Sequence, residues 1–441
     1  MKNTVVSQLS NAGLTTISTH RGQENMFYPE MRYVENKSVA ILPDSNRSEI
    51  LFVSSYPPRE CGIATYSQDL IKVLKQNFSK SLVIKVCALE AGKADYTYPD
   101  EVKYTLDTSK EIGFRNAVDS INRDEKIRLV VIQHEFGFFH TQESAFVRFI
   151  HEISKPVVVV FHTVLPNPGE HLKTLTRNIA AACSSLIVMT NNSAKLLVNE
   201  YDVPEEKISI IAHGTHMVPH VSKTFLKNKY GLKGRKVLST FGLLGPGKSL
   251  ETSIKAMSAI VKDFPEVTFL VLGKTHPELV KLEGENYRQM LESMVIEHSL
   301  SDHVKFVNSY LSLPDLLEYL QLTDIYLFSS NDPNQAVSGT FAYAMSCGCP
   351  IISTPIPHAV EMLTSDTGMI FDFGNSEQLA DNVIKLLNNE PLRRSMSKKA
   401  LQKIASTSWD NSAIAHAGLF KKITSKKVHN LPNQVSLRIS G

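Results

Sequence analysis

The 441-residue chain is poor in the features that would mark it for export, for a membrane or for nucleic acid. Its five cysteines (Cys61, Cys87, Cys183, Cys347 and Cys349) are odd in number and irregularly spaced. That pattern gives neither a disulfide framework nor a zinc knuckle, and Cys347 and Cys349 stand closer than the usual two-residue ligand gap. No apolar stretch approaches the roughly 20 residues a membrane-spanning helix needs, and runs such as Val157–Phe161 are strand-sized. The first residues, MKNTVVSQLSNAGLTTISTH, lack the apolar core of a secretory signal. No charge sign is in excess: 47 Lys and Arg against 44 Asp and Glu leave +3, which argues against a nucleic-acid partner. These absences point to reduced thiols, a cytoplasmic location and no transmembrane segment. The basic stretches 393–403 and 421–427 are read first as solvated helix faces, with peripheral contact to anionic lipid as the second reading.

What the chain has is alternation. Short β-branched runs at 50–54, 82–88, 129–133, 157–161, 186–190 and 208–212 form one set of expected strands. A second set lies at 237–241, 267–272, 304–307, 325–328 and 351–353. Most are continuous apolar runs, as expected of strands buried on both faces of a parallel sheet. Helix-period segments fall between them, at 66–76, 172–182, 250–263, 286–298 and 313–322. The fold class is therefore α/β, with right-handed crossovers and doubly wound sheets. Eleven strands exceed one ordinary sheet, so two Rossmann-like domains are expected to face each other across a cleft. The turn-rich interval 213–235 is the expected linker. The division is 1–45, an irregular extension; 46–218, an N-terminal domain; 222–405, a C-terminal domain; and 406–425, a helix crossing back to the first domain.

Open α/β sheets bind ligands beyond the carboxyl ends of their strands, so post-strand loops are where chemistry is sought. In SSYPPRECGIATY, Gly62 stands at the turn into a helix; no G-x-G-x-x-G is present, which removes the main support for dinucleotide binding. IQHEFGFFH places His134 and Glu135 at a strand end, and VVVVFHT places His162 and Thr163 at the next. Two imidazoles at successive strand ends are read as pointing into one crevice, where they could bond a substrate hydroxyl or accept a proton. Neither forms an i, i+4 metal pair, so no metal is expected. FGLLGPGKSLE offers Gly242, Gly245 and Gly247 with Lys248 at a helix start, read as a phosphate clamp of its own rather than a P-loop. Ser338, Gly339 and Thr340 begin a further helix whose amides and hydroxyls suit a second phosphate, and Gly273 in VLGKTHPE leaves room for a base or ribose. An ordinary βα loop with a surface lysine is the alternative at Lys248, and simple helix capping at Ser338–Thr340.

The order PPRECGIATY, QHEFG, FHT, IIAHGT, FGLLGPGKSLE, VLGKTHPE and QAVSGTFAYAMSCGCPIISTP resembles the bacterial GT-B glycosyltransferases of the large retaining group, over about residues 50–420. The resemblance implies a GT-B fold, a nucleotide-sugar donor, a glycan or lipid-linked acceptor, retention of configuration and no metal or other cofactor. It casts His134 as the histidine that meets the transferred sugar, with Lys248 on the donor diphosphate. Ser338, Gly339 and Thr340 would take the distal phosphate, and Gly62 would lie near phosphates and acceptor. Gly242, Gly273, Gln335 and Tyr343 complete the expected donor side; His162 and Thr163 are expected on the acceptor side. The family's usual glutamate pair falls here on Gln335 and Tyr343, and the arginine preceding the lysine falls on Leu243. A phosphorylase on the same fold, or a non-catalytic glycan- or nucleotide-binding protein, are the alternatives.

Overall fold

The structure is a computed structural model that describes residues 48–92 and 96–426, all within one compact unit. The expected extension at 1–45 lies outside the described residues. The N-terminal lobe holds a seven-stranded sheet ordered β3-β2-β1-β4-β5-β6-β7. Its strands are β1 Glu49–Ser54, β2 Val83–Glu90, β3 Val102–Asp107, β4 Ile127–His134, β5 Val157–Phe161, β6 Ser185–Val188 and β7 Ile208–Ile210. The C-terminal lobe holds a six-stranded sheet ordered β10-β9-β8-β11-β12-β13. These are β8 Lys236–Phe241, β9 Val267–Leu272, β10 Val304–Val307, β11 Ile325–Phe328, β12 Ile351–Ser353 and β13 Gly368–Ile370. Every pairing is parallel. Strand order reverses at β1/β4 and at β8/β11, and the crevices open at those two switch points.

The sequence reading misses β3 and β13. Both are edge strands, β3 only half-buried and β13 three residues long, so neither carries the continuous apolar run of a central strand. The central strands do: β5, VVVVF, is buried at all five positions. Alternate side chains enter the two cores that sandwich the sheet. Val157, Val159 and Phe161 join the core containing Phe114 and Phe146, while Val158 and Val160 join the one containing Tyr66 and Trp409.

The linker is shorter than the sequence implies. Within 213–235 a helix forms at Lys223–Lys229, with Leu226 fully buried in a C-terminal core beside Val237 and Leu322. The stretch before it runs free of helix or strand, tied by a bridge from Thr215 to Ser408, and residues 230–235 after it form turns leading into β8. The Trp409–Lys426 helix packs on the N-terminal lobe, sending Trp409, Ala413, Ala417 and Phe420 into the Tyr66 core. Across the cleft Lys274 pairs with Glu60 at 2.6 Å, and Asn191 Nδ2 donates to Glu361 at 2.9 Å.

Candidate active site

Between the lobes lies a cleft of about 1670 Å³. Its C-terminal wall is assembled from strand-end loops. After β8 the chain enters a 3-10 turn, Pro246–Lys248, before the Leu250–Asp263 helix. The turn is pinned from behind: Ser329 Oγ donates to the Lys248 carbonyl (2.9 Å), and Ser330 Oγ (3.2 Å) and the Asn331 amide (3.1 Å) donate to that of Gly247. Lys248 is thus held facing the cleft, its Nζ 5.5 Å from the centre of the Phe328 ring. No carboxylate pairs with it among the described residues, and desolvation brings its pKa down to about 8.

Gly242, Thr340 and Lys248 converge. A Cβ built on Gly242 would lie 3.2 Å from Thr340 Cγ2 and 3.6 Å from Lys248 Nζ. Thr340 belongs to the Gly339–Ser346 helix, whose first amides have no intrahelical acceptor and open on the same space. Ser338 caps that helix through the Phe341 amide and shares a hydrogen bond with Thr340 Oγ1 at 3.0 Å. The loop's letters do fit G-x-x-x-x-G-K-[ST] from Gly242 to Ser249, so conformation rather than spacing separates it from a P-loop. Ser249 is left-handed at φ 46°, buried, and its hydroxyl bonds Thr252 at 2.9 Å instead of facing the cleft.

Gly273 serves the site differently from the expectation. Its Cβ would meet the Gly242 carbonyl oxygen at 2.0 Å, so its bare backbone (φ 131°) allows the loops after β8 and β9 to close on each other. Gln335 lines the cleft and accepts from Ser330 Oγ at 2.9 Å. Tyr343 also lines it, with its hydroxyl turned to the opposite lobe, where it donates to Asp69 at 2.6 Å. Gly62, on the N-terminal wall, has open space where a side chain would be.

The two histidines part company. His134 is the last residue of β4 and pairs with Phe161 in register, so His162 lies one residue further along its own strand. With a period of two, that single residue sends the rings to opposite faces of the sheet. His134 is 1 % exposed, boxed by Phe136, Phe139, Phe146 and Phe161. Its Nδ1 has no partner, and burial brings its pKa down to about 3. The sugar-contacting role expected of His134 is therefore not one this geometry supports. His162 lines the cleft instead, donating from Nε2 to Gln133 Oε1 at 2.8 Å, which leaves Nδ1 as an acceptor. Its pKa also lies near 3, chiefly through burial, so the ring is neutral.

Beside it Thr163 Oγ1 donates to Glu135 Oε2 at 2.7 Å, while Glu135 Oε1 accepts the Phe136 amide. Burial raises the Glu135 pKa, and Asp332 across the cleft adds to the rise. The sequence reading passes over two further cleft residues. His213 Nδ1 donates to the Gly214 carbonyl, and its Nε2 stands against Gly339. Asp69, within a helix, carries no strand-end signal. Among the described residues no group of three His, Cys, Asp or Glu could hold a metal, and no helix is long and apolar enough to cross a membrane.

Two parallel Rossmann-like lobes facing across such a cleft define the GT-B architecture. Residues 222–403 match the family described as Glycosyl transferases group 1. N-acetyl-alpha-D-glucosaminyl L-malate synthase of Bacillus anthracis is 26 % identical over 183 residues, covering 41 % of this chain and 44 % of that protein. D-inositol 3-phosphate glycosyltransferase of Corynebacterium diphtheriae is 22 % identical over 235 residues, 52 % of this chain and 53 % of that one. The chain thus spans about half the length of the curated relatives it matches. In overall fold it resembles Anabaena HepE in complex with UDP and glucose, with a TM-score of 0.64, 15 % identity and coverage of 87 % of this chain and 100 % of that one. Sucrose-phosphate synthase of Thermosynechococcus elongatus gives 0.70, 15 %, 86 % and 100 %.

Proposed function

We propose that the protein is a retaining glycosyltransferase that moves a sugar from a nucleoside-diphosphate sugar to a hydroxyl of a glycan or lipid-linked acceptor. The observation that carries the reading is Lys248, a cation in the cleft that no carboxylate pairs among the described residues, set against Gly242, Thr340 and the start of the Gly339–Ser346 helix. A cation without a carboxylate is costly to desolvate unless an anion comes to it, and helix amides favour the same guest. The family match over 222–403 and the likeness to a fold crystallised with UDP support a nucleotide donor.

The acceptor oxygen bonds the anomeric carbon as that carbon's bond to the diphosphate breaks. The electron pair leaves with the diphosphate, where Lys248 and the helix amides stabilise it. Retention brings the acceptor in on the face the diphosphate leaves, so a departing phosphate oxygen takes the hydroxyl proton. On the opposite wall His162 Nδ1 accepts from a hydroxyl of the transferred sugar, and Gln335 borders the donor. Glu135 and Thr163 stand on the acceptor side. No metal enters this scheme, and a cytoplasmic location goes with a nucleotide-sugar supply.

The test is release of nucleoside diphosphate from a panel of sugar nucleotides by wild type and Lys248→Ala. Loss of a charge-stabilising donor of this kind lowers turnover by about 100-fold or more. Equal turnover in the two proteins refutes the diphosphate assignment.

A further inference from the structure

We propose that Asp69 determines nucleotide specificity: a carboxylate of the N-terminal lobe receives a ribose hydroxyl of the donor, so that ribonucleotides bind in preference to deoxyribonucleotides. The proposal rests on the glycosyl-transfer reading above and adds a residue from the lobe opposite the diphosphate cradle. Asp69 lies in the Gly62–Phe78 helix and is 8 % exposed, yet it lines the cleft. Its Oδ2 is engaged twice, by the Tyr343 hydroxyl at 2.6 Å and by His216 Nε2 at 3.2 Å. Its Oδ1 makes no hydrogen bond among the described residues and is not one of the enclosed atoms left without a partner, so it keeps some exposure on a residue that lines the cleft. A carboxylate offers about four acceptor positions, and this one is half-engaged in a nearly closed setting.

The two donors fix where the open oxygen sits. Tyr343 comes from the helix whose start is the phosphate end of the site, and its ring packs edge-on against Phe241, the residue before Gly242, with centroids 5.9 Å apart. Asp69 is therefore one side chain removed from the Lys248, Gly242 and Thr340 cradle. A nucleoside diphosphate seated there carries its ribose next to the phosphates, and the ribose hydroxyls need acceptors. Other acceptors along that path are committed. Tyr343 gives its proton to Asp69, Gln335 Oε1 is taken by Ser330, and Glu135 holds Thr163 and the Phe136 amide. Asp332 is exposed and accepts the Asn334 amide. Asp69 Oδ1 is, among the described residues, an unengaged carboxylate oxygen on a nearly buried side chain next to the cradle, and because it belongs to one lobe and the cradle to the other, ribose recognition requires both.

Equilibrium binding to the full chain decides the matter, measured by calorimetry with uridine, adenosine and guanosine diphosphates and their 2′-deoxy and 3′-deoxy forms. Wild type should prefer the best ribonucleotide over at least one deoxy form by about tenfold or more, the worth of a hydrogen bond to a charged group. Asp69→Asn should bring that ratio to within about twofold by weakening the ribonucleotide alone. Tyr343→Phe, which keeps the carboxylate, should retain the preference. If wild type binds the ribonucleotide with no preference, or if the preference survives in Asp69→Asn, Asp69 has no such role, while the diphosphate assignment stands. If Tyr343→Phe abolishes the preference as fully as Asp69→Asn, the effect belongs to the packing of the network and the assignment to Asp69 fails. If wild type binds none of the three ribonucleotides, the glycosyl-transfer reading fails and this inference with it.

Discussion

The two walls of the cleft are built from different materials. On the C-terminal wall the recognising groups are main-chain amides, glycines and a single cation, held by a turn whose carbonyls are tied to Ser329, Ser330 and Asn331. On the N-terminal wall they are side chains whose hydrogen-bonding sense is already set, as His162 is by Gln133 and Glu135 by Thr163. Amides and a lysine suit any anion of the right size, whereas a neutral imidazole with one open acceptor suits a hydroxyl at one place. On the proposed reading, the contrast gives the diphosphate to one lobe and the choice of sugar and acceptor to the other.

The largest effect that would sharpen this contrast is Gly273→Val. With the Gly242 carbonyl 2.0 Å from any Cβ and φ at 131°, a branched side chain has to part the two loops. We expect a loss of about 3 kcal/mol or more in urea unfolding, together with loss of nucleoside diphosphate binding. Unchanged binding would mean the interlocked loops do not shape the cradle. Next, His162→Ala should lower turnover about 100-fold, whereas His134→Leu should leave turnover within a few-fold of wild type. Comparable losses in both would erase the distinction between the two faces of the sheet.

A smaller effect is set by pH. A bound diphosphate favours charged Lys248 and raises its pKa, so affinity should be level below pH 8 and fall by up to about tenfold per unit above it. In Lys248→Ala the contribution should vanish; calorimetry between pH 7 and 9.5 gives the slope. The last concerns His134, neutral in the fold down to about pH 3 while the unfolded chain takes up a proton below about 6.5. Its depressed pKa therefore costs stability as pH falls from about 6.5 towards 3, by up to about 1.4 kcal/mol per unit. His134→Leu should flatten the acid side of the stability profile by that amount.

Much of the fold could be read from the chain, because central parallel strands announce themselves as apolar runs and β5 is nothing but apolar residues. The helix Glu111–Arg123 also carried a readable signal, Phe114, Ala117, Val118 and Ile121 at helical spacing, which the strand-led reading passed over. β3 and β13 had less to show, since edge strands are only part-buried. At the site, Lys248, Ser338, Gly339, Thr340 and His162 were legible as strand-end or helix-start residues, and all line the cleft. The face His134 takes was not legible, because a strand-end motif does not carry the register and one residue of offset reverses the face. Asp69 could not be found at all: its partners, Tyr343 and His216, lie far along the chain, and only the packing of two lobes joins them.

The chain contains one tryptophan, Trp409, and it sits where the lobes meet. Its indole packs against Tyr66 and His213, its Nε1 lies 3.3 Å from His216 Nε2, and Gly214 is bare because the ring occupies the space of a Cβ. A rotation of one half against the other would reach that ring through His216, whose own ring lies 4.8 Å from that of Tyr343 in the C-terminal lobe. The emission of this single indole, with no label added, should therefore report such a rotation, and an emission unchanged by nucleotide would speak against it.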